Sequence, residues 1–275
     1  MIHNTVTEQA YAKINLTLGV RSKRPDGYHE LDMLMQTVSL ADTVTVMPDS
    51  AISVTASGML LPYHNTLRRA AELYQSYTGR GALIHVVKRI PAEAGLGGGS
   101  ADAAAVLRGL DALYGEVYAQ TLKDIARKVG ADVPFCLQGG LCRAEGIGER
   151  LTPLKPMPLH LVLAKPEKGV STGALFRALT LPRPLPDTER AMAAIGRGDL
   201  DGLADALENA LEEPAIALVP EIADLRQRLI DLGAVGARMS GSGSAVFALF
   251  RTQEQAESAA AAVENVAFAC AAETV

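Results

Sequence analysis

PAEAGLGGGSADAAA, residues Pro91 to Ala105, places four glycines in five positions, Gly95, Gly97, Gly98 and Gly99, and then runs directly into alanines. Alternating apolar residues from Ala82 to Ile90 predict a strand that stops at Pro91. Downstream, Ala103, Val106, Leu107, Leu110 and Leu113 recur at helical spacing up to Gly115, Ser100 can cap the helix, and Asp102 falls in its first turn. The stretch therefore reads as strand, bare loop, helix. Backbone without side chains can approach a polyanion closely there, with N–H groups and the helix dipole directed at it. It is neither a Walker A loop, because GK[ST] is absent, nor a G-x-G-x-x-G dinucleotide fingerprint. On spacing alone, a tight structural turn and a phosphate cradle are both open.

Working outward, Tyr11 to Val20 alternates, with Ala12, Ile14, Leu16, Leu18 and Val20 on one face and Lys13, Asn15 and Thr17 on the other. This predicts a half-buried strand on which Lys13 and Asn15 address the same ligand or form an exposed polar edge. The turn Pro25-Asp26-Gly27 precedes Tyr28 and His29, and Leu31 to Met47 predicts a second, bent strand. Helices are predicted at 65–78, ended by Gly79, and at 122–129, ended by Gly130; Asp132 then stands where it would cap a short helix. The proline-rich run from Pro153 to Pro158 marks a connector, which divides the chain into 1–153 and 154–275. Beyond it come a short strand at 159–164 and helices at 172–179, 188–195, 200–211 and 222–232. Two short strands follow around the loop of MSGSGS, and a last helix is predicted at 253–263. Helices and antiparallel strands mixed without steady βαβ alternation predict a two-domain α+β fold.

The chain has 275 residues, 48% of them hydrophobic, and no run of apolar residues long enough to span a bilayer, so a globular protein with no membrane partner is expected. Its 26 basic and 31 acidic residues give a net charge of −5, and no basic block with interleaved aromatics invites a nucleic acid. Three cysteines, Cys136, Cys142 and Cys270, lack metal-ligand spacing and fit reduced thiols in the cytoplasm. MIHNTVTEQA lacks the features of a signal or transit segment, so the mature chain is expected to start at residue 1.

PAEAGLGGGSADAAA closely resembles the phosphate loop of the GHMP small-molecule kinases. AYAKINLTLGV, RPDGYHELDMLMQTV, GADVPFCLQGG, GIGERLTPL and MSGSGSAVFALF, in this order, resemble the branch of that family that phosphorylates a cytidine diphosphate-linked methylerythritol. The likeness runs from Tyr11 to about Phe250, and the stretch 181–211 adds nothing to it. It implies a GHMP kinase fold with its active site in the cleft between an N-terminal ATP-binding domain and a C-terminal domain. It also implies ATP, carried as its Mg²⁺ complex, as phosphoryl donor in a direct in-line transfer. By this resemblance Asp132 is the general base and Lys13 its cationic partner. Pro91, Gly95, Leu96, Gly97, Gly98, Gly99 and Ser100, with Asn65 and Lys88, hold the nucleotide. Asn15, Tyr28, His29, Thr172, Phe176, Gly241 and Gly243 hold the substrate, Tyr28 and Phe176 as walls around the cytosine. Several of these residues also have plain structural readings: Lys88 as a solvated strand lysine, Phe176 as core packing, Thr172 and Asp132 as helix caps. Asp102 serves the helix N-terminus, a direct role toward Mg²⁺ being the alternative.

Overall fold

The computed structural model describes residues 5–275; the expected start at residue 1 lies outside them. In chain order the elements are β1 (Val6–Lys23), β2 (His29–Asp49), β3 (Ile52–Ser57), α1 (Thr66–Thr78), β4 (Gly81–Val87), α2 (Gly98–Tyr114), α3 (Ala119–Val129), α4 (Val133–Gln138), β5 (Leu141–Gly146) and β6 (Arg150–Leu154). They continue with β7 (His160–Lys165), α5 (Thr172–Ala178), α6 (Thr188–Arg197), α7 (Leu200–Ala206), β8 (Glu208–Asn209), α8 (Glu212–Leu218), α9 (Glu221–Asp231), β9 (Gly236–Met239), β10 (Val246–Phe250), α10 (Gln253–Ala262) and β11 (Phe268–Glu273).

The chain forms two compact units of interleaved segments: one holds residues up to Ala12, Leu40–Ile90 and Gly97–Gly139, the other Lys13–Ser39, Pro91–Leu96 and Gly140–Val275. In the first unit the latter half of β2 pairs antiparallel with β4, from Thr43 opposite Val87 to Asp49 opposite Gly81, and β3 lies parallel on β4. Helices α1 and α2 pack together there, joined by Tyr74 Oη donating to Leu110 O at 3.3 Å. Asn65, where the helix was expected to begin, instead caps α1 by accepting from the Arg68 N–H, and Gly79 ends the helix in the left-handed region as expected.

In the second unit the first half of β2 pairs antiparallel with β5, which pairs with β6, while β1 runs parallel to the short β8. A separate four-stranded sheet has the order β11-β7-β10-β9, antiparallel throughout, with α9 and α10 packed on it. Its central strand β10, Val246 to Phe250, is buried along its whole length, as an unbroken apolar run requires.

Four expectations are corrected. Strand β1 is buried on both faces: Lys13, Asn15 and Thr17 are 4%, 1% and 0% exposed, because neighbouring chain covers the polar face and its side chains satisfy one another. Helix α2 begins at Gly98, two residues before Ser100, with Gly97 as a left-handed N-cap that offers no side-chain cap; Asp102 thus lies past the first turn. The helix expected over 200–211 ends at Ala206, because Glu208 and Asn209 leave it to pair with Thr17 and Leu18. Strands β3, β5, β6 and β11 and helix α8 were not foreseen; β3, β5 and β11 owe their form to strands distant in sequence.

Candidate active site

The glycine loop begins in the second unit. There Gly95 has φ of +69°, and a Cβ at this position would lie 2.0 Å from Ser240 O, so the missing side chain makes room for the loop between β9 and β10. That loop is laced to the segment before Gly95: Ser244 N–H donates to Glu93 O, Ala245 N–H to Ala94 O and Ser240 Oγ to Gly95 O, all between 3.0 and 3.1 Å. Leu96 O accepts the Lys13 N–H at 3.0 Å, which binds β1 to the same segment.

Lys13 and Asn15 meet as their alternation predicts, with Lys13 Nζ donating to Asn15 Oδ1 at 2.6 Å. Gly241 presses onto this pair. A Cβ there would stand 2.8 Å from Lys13 Nζ and 3.3 Å from Asn15 Oδ1. His29 stacks on Phe176, with centroids 4.8 Å apart and planes 28° apart, so the ring on α5 faces the strand that follows the Pro-Asp-Gly turn rather than the core. Burial and the nearby Lys23 charge hold the His29 pKa below its ordinary value. Tyr28 beside it is 57% exposed, and Thr172 Oγ1 shares a 2.6 Å hydrogen bond with Ser242 Oγ next to Gly241 and Gly243. Within one unit His29 is thus paired with Phe176 and Asn15 with Gly241, and Thr172 is joined to Ser242, the residue between Gly241 and Gly243.

The first unit carries the rest. With Gly97 as N-cap, the N–H groups of Gly98 and Gly99 open a seventeen-residue helix that no side chain caps. Such a terminus suits a phosphate by its N–H groups and dipole. Thr66 Oγ1 donates to Gly99 O at 2.6 Å, so Asn65 and the start of α1 lie beside this turn. Asp132 is the N-cap residue of α4 by position, yet its backbone is helical, with φ −85° and ψ −11°, and its side chain makes no capping bond. A capping role therefore does not account for it. Lys88 is not a solvated strand lysine: its side chain is 5% exposed and paired with Asp42 and Asp102.

Three residues that hold the site escaped sequence reasoning. Asn209 Nδ2 donates to Met239 O and Gly241 O, both at 2.8 Å, bracketing the entry to the second glycine loop. Glu212 accepts the Met239 N–H at 2.9 Å and is paired with Arg226 and Arg238. Both fall in or beside the stretch 181–211, which adds nothing to the family resemblance, and only the chain's path brings them to β9. Asp42 did carry a signal, since a lone carboxylate in an apolar strand requires a buried partner.

Family models for the GHMP kinases N terminal domain and the GHMP kinases C terminal match residues 65–140 and 191–268. A 4-diphosphocytidyl-2-C-methyl-D-erythritol kinase of Pelotomaculum thermopropionicum is 45% identical over 266 residues, covering 93% of each chain. This chain belongs to the GHMP kinase family. A crystal structure of 4-(cytidine 5'-diphospho)-2C-methyl-D-erythritol kinase superposes with a TM-score of 0.84 at 42% identity, covering 98% of this kinase and 99% of that chain. The homoserine kinase of Cytophaga hutchinsonii, at 21% identity and a TM-score of 0.79 over 100% and 96% of the two chains, shares the fold. The protein is thus a small-molecule kinase that uses ATP, and the α+β fold expected from the sequence is the GHMP kinase fold. No helix among the described residues is long and apolar enough to cross a membrane.

Proposed function

We propose that this kinase phosphorylates the 2-hydroxyl of 4-diphosphocytidyl-2-C-methyl-D-erythritol, a step of the non-mevalonate route to isoprenoid precursors, in the cytoplasm. The name carried by relatives of nearly the same length supports the substrate, and the observation in this chain that carries the reading is the His29–Phe176 ring pair with exposed Tyr28 at its side. A pyrimidine has the shape to stack on such rings, whereas an aliphatic acid has no use for them. Residues 1–153 form the proposed ATP-binding domain and 154–275 its C-terminal companion.

ATP supplies the phosphoryl group when bound as its Mg²⁺ complex. The chain supplies placement and charge. The N–H groups of Gly97, Gly98 and Gly99 receive the polyphosphate with Ser100 beside them, while Pro91, Gly95 and Leu96 shape the loop and Asn65 and Lys88 flank it. Asn15, Thr172, Gly241 and Gly243 orient the acceptor beside Lys13, whose buried ammonium favours the developing alkoxide. Asp132 takes the hydroxyl proton as that oxygen attacks in line.

A coupled assay with 4-diphosphocytidyl-2-C-methyl-D-erythritol, mevalonate and homoserine in parallel tests the substrate. Turnover of the first alone is expected, with free CMP competing against it. Tyr28→Ala is expected to weaken the cytidine substrate by about 0.5–1.5 kcal/mol and to leave the KM for ATP nearly unchanged. Equal turnover of mevalonate, or an equal loss for both ligands in Tyr28→Ala, would overturn the assignment.

A further inference from the structure

Three charged side chains are buried together where β4 gives way to the glycine loop. Asp42 on β2 and Asp102 on α2 are 0% and 1% exposed, and the Lys88 side chain between them is 5% exposed. Lys88 Nζ donates to Asp42 Oδ2 and, at 2.6 Å, to Asp102 Oδ2. Asp42 Oδ1 also accepts the N–H groups of Arg89 and Ile90, at 2.5 and 2.8 Å. Asp102 has no such support, and its Oδ1 is buried with no hydrogen-bond partner.

Two carboxylates share one ammonium, so the cluster holds an excess negative charge whenever both are ionised. Three donors hold the Asp42 carboxylate, two of them backbone N–H groups. Burial raises Asp102 to about 7, against the attraction of Lys88 and with help from the Asp42 charge. Those are the charges that bear on it. On the elements packed against α2, Arg68 of α1 pairs with Glu72, Arg127 of α3 with Asp124, Lys128 of α3 donates to Tyr77 Oη, and α4 carries no acidic or basic side chain. Arg108, further along α2, pairs with Glu8. The cluster also adjoins the first residue of α2: a Cβ on Gly98 would lie 3.6 Å from Lys88 Nζ.

We propose that Asp102 is a positioning residue that takes up a proton when a polyphosphate occupies the glycine loop, releasing Lys88 from one of its two carboxylates so that its charge serves the phosphate-bearing end of α2. The proton comes from solvent and binds the unpartnered Oδ1. This rests on the reading of the loop as the ATP site. A polyanion at Gly98 disfavours a second negative charge beside it, and neutral Asp102 removes that charge where moving the buried Lys88 could not. Asp102 itself touches no substrate; it acts through Lys88.

Calorimetric titration of the full-length protein with a non-hydrolysable ATP analogue and Mg²⁺, in two buffers of different ionisation enthalpy, counts the protons. Wild type is expected to take up a fraction of a proton per analogue bound at pH 7.5, and its affinity to fall by about threefold or more from pH 7 to 8.5. Asp102→Asn is expected to take up none and to bind with an affinity that is flat over that range. The wild-type difference infrared spectrum, which requires no variant, should gain a protonated-carboxyl stretch on binding. Equal proton uptake in both proteins, or no such stretch in the wild type, would overturn the inference. Binding that Gly97→Ala leaves unchanged would instead overturn the placement of the nucleotide, and this inference with it.

Discussion

Asp132 stands at the mouth of α4 with helical backbone and no capping bond, so helix capping does not explain an acidic residue there. Asp132→Asn keeps its shape and cannot accept a proton. Steady-state kinetics should show kcat lower by about 10²–10⁴-fold with both KM values nearly unchanged, the signature of an interaction made only in the transition state. Near-normal kcat would mean that the proton leaves by another route. Lys13→Met is expected to impair kcat as well, and the double variant to lose less than the product of the two, as the proposed joint action of the two groups requires. At this scale the sequence was a good guide to Lys13 and Asn15, because strand alternation alone puts them on one face. It was a poor guide to Lys88. Nothing in VVKRIP says whether a lysine at a strand end meets water or two carboxylates 46 and 14 residues away.

Among the elements, the loop joining β9 to β10 is organised by contacts rather than by its own sequence. MSGSGS reads as a flexible turn, yet Gly95, Asn209 and the backbone of residues 93 and 94 bind it from three sides. Gly95 therefore has two duties, and the tertiary one is the stricter. Gly95→Ala would force a Cβ against Ser240 O from a positive φ, and chemical denaturation should show a loss of about 1–3 kcal/mol in stability. If stability were unchanged while ATP affinity alone fell, Gly95 would serve the nucleotide only. The same elements show where periodicity misleads. The pattern over 200–211 is helical by composition, and Asn209 leaves it because its amide finds better partners in Met239 and Gly241 than solvent offers.

For the molecule as a whole, the buried charges of the first unit tie stability to pH. Asp102 titrates near 7 in the folded chain and near 3.9 when unfolded, so the folded state holds the extra proton between those values. Its contribution is fully present below about pH 4 and is lost as pH rises through about 7. Thermal melts should accordingly show Asp102→Asn gaining on wild type between pH 4.5 and 7 and keeping a constant lead above that; a lead independent of pH would exclude Asp102 as the titrating group. The thiols of Cys142 and Cys270 are likewise raised, each pushed up to about 11 by burial, and stay protonated throughout this range. Local pattern was enough for the glycine loop between strand and helix, the helix stops Gly79 and Gly115, the shared face of Lys13 and Asn15, and through these motifs the family, because each depends on residues a few positions apart. It took the folded chain to bury both faces of β1, to join Lys88 to two carboxylates, to bring Phe176 to His29, and to hold the second glycine loop with Asn209 and Glu212. Those facts depend on desolvation and on partners far away along the chain, and neither is encoded in any local period.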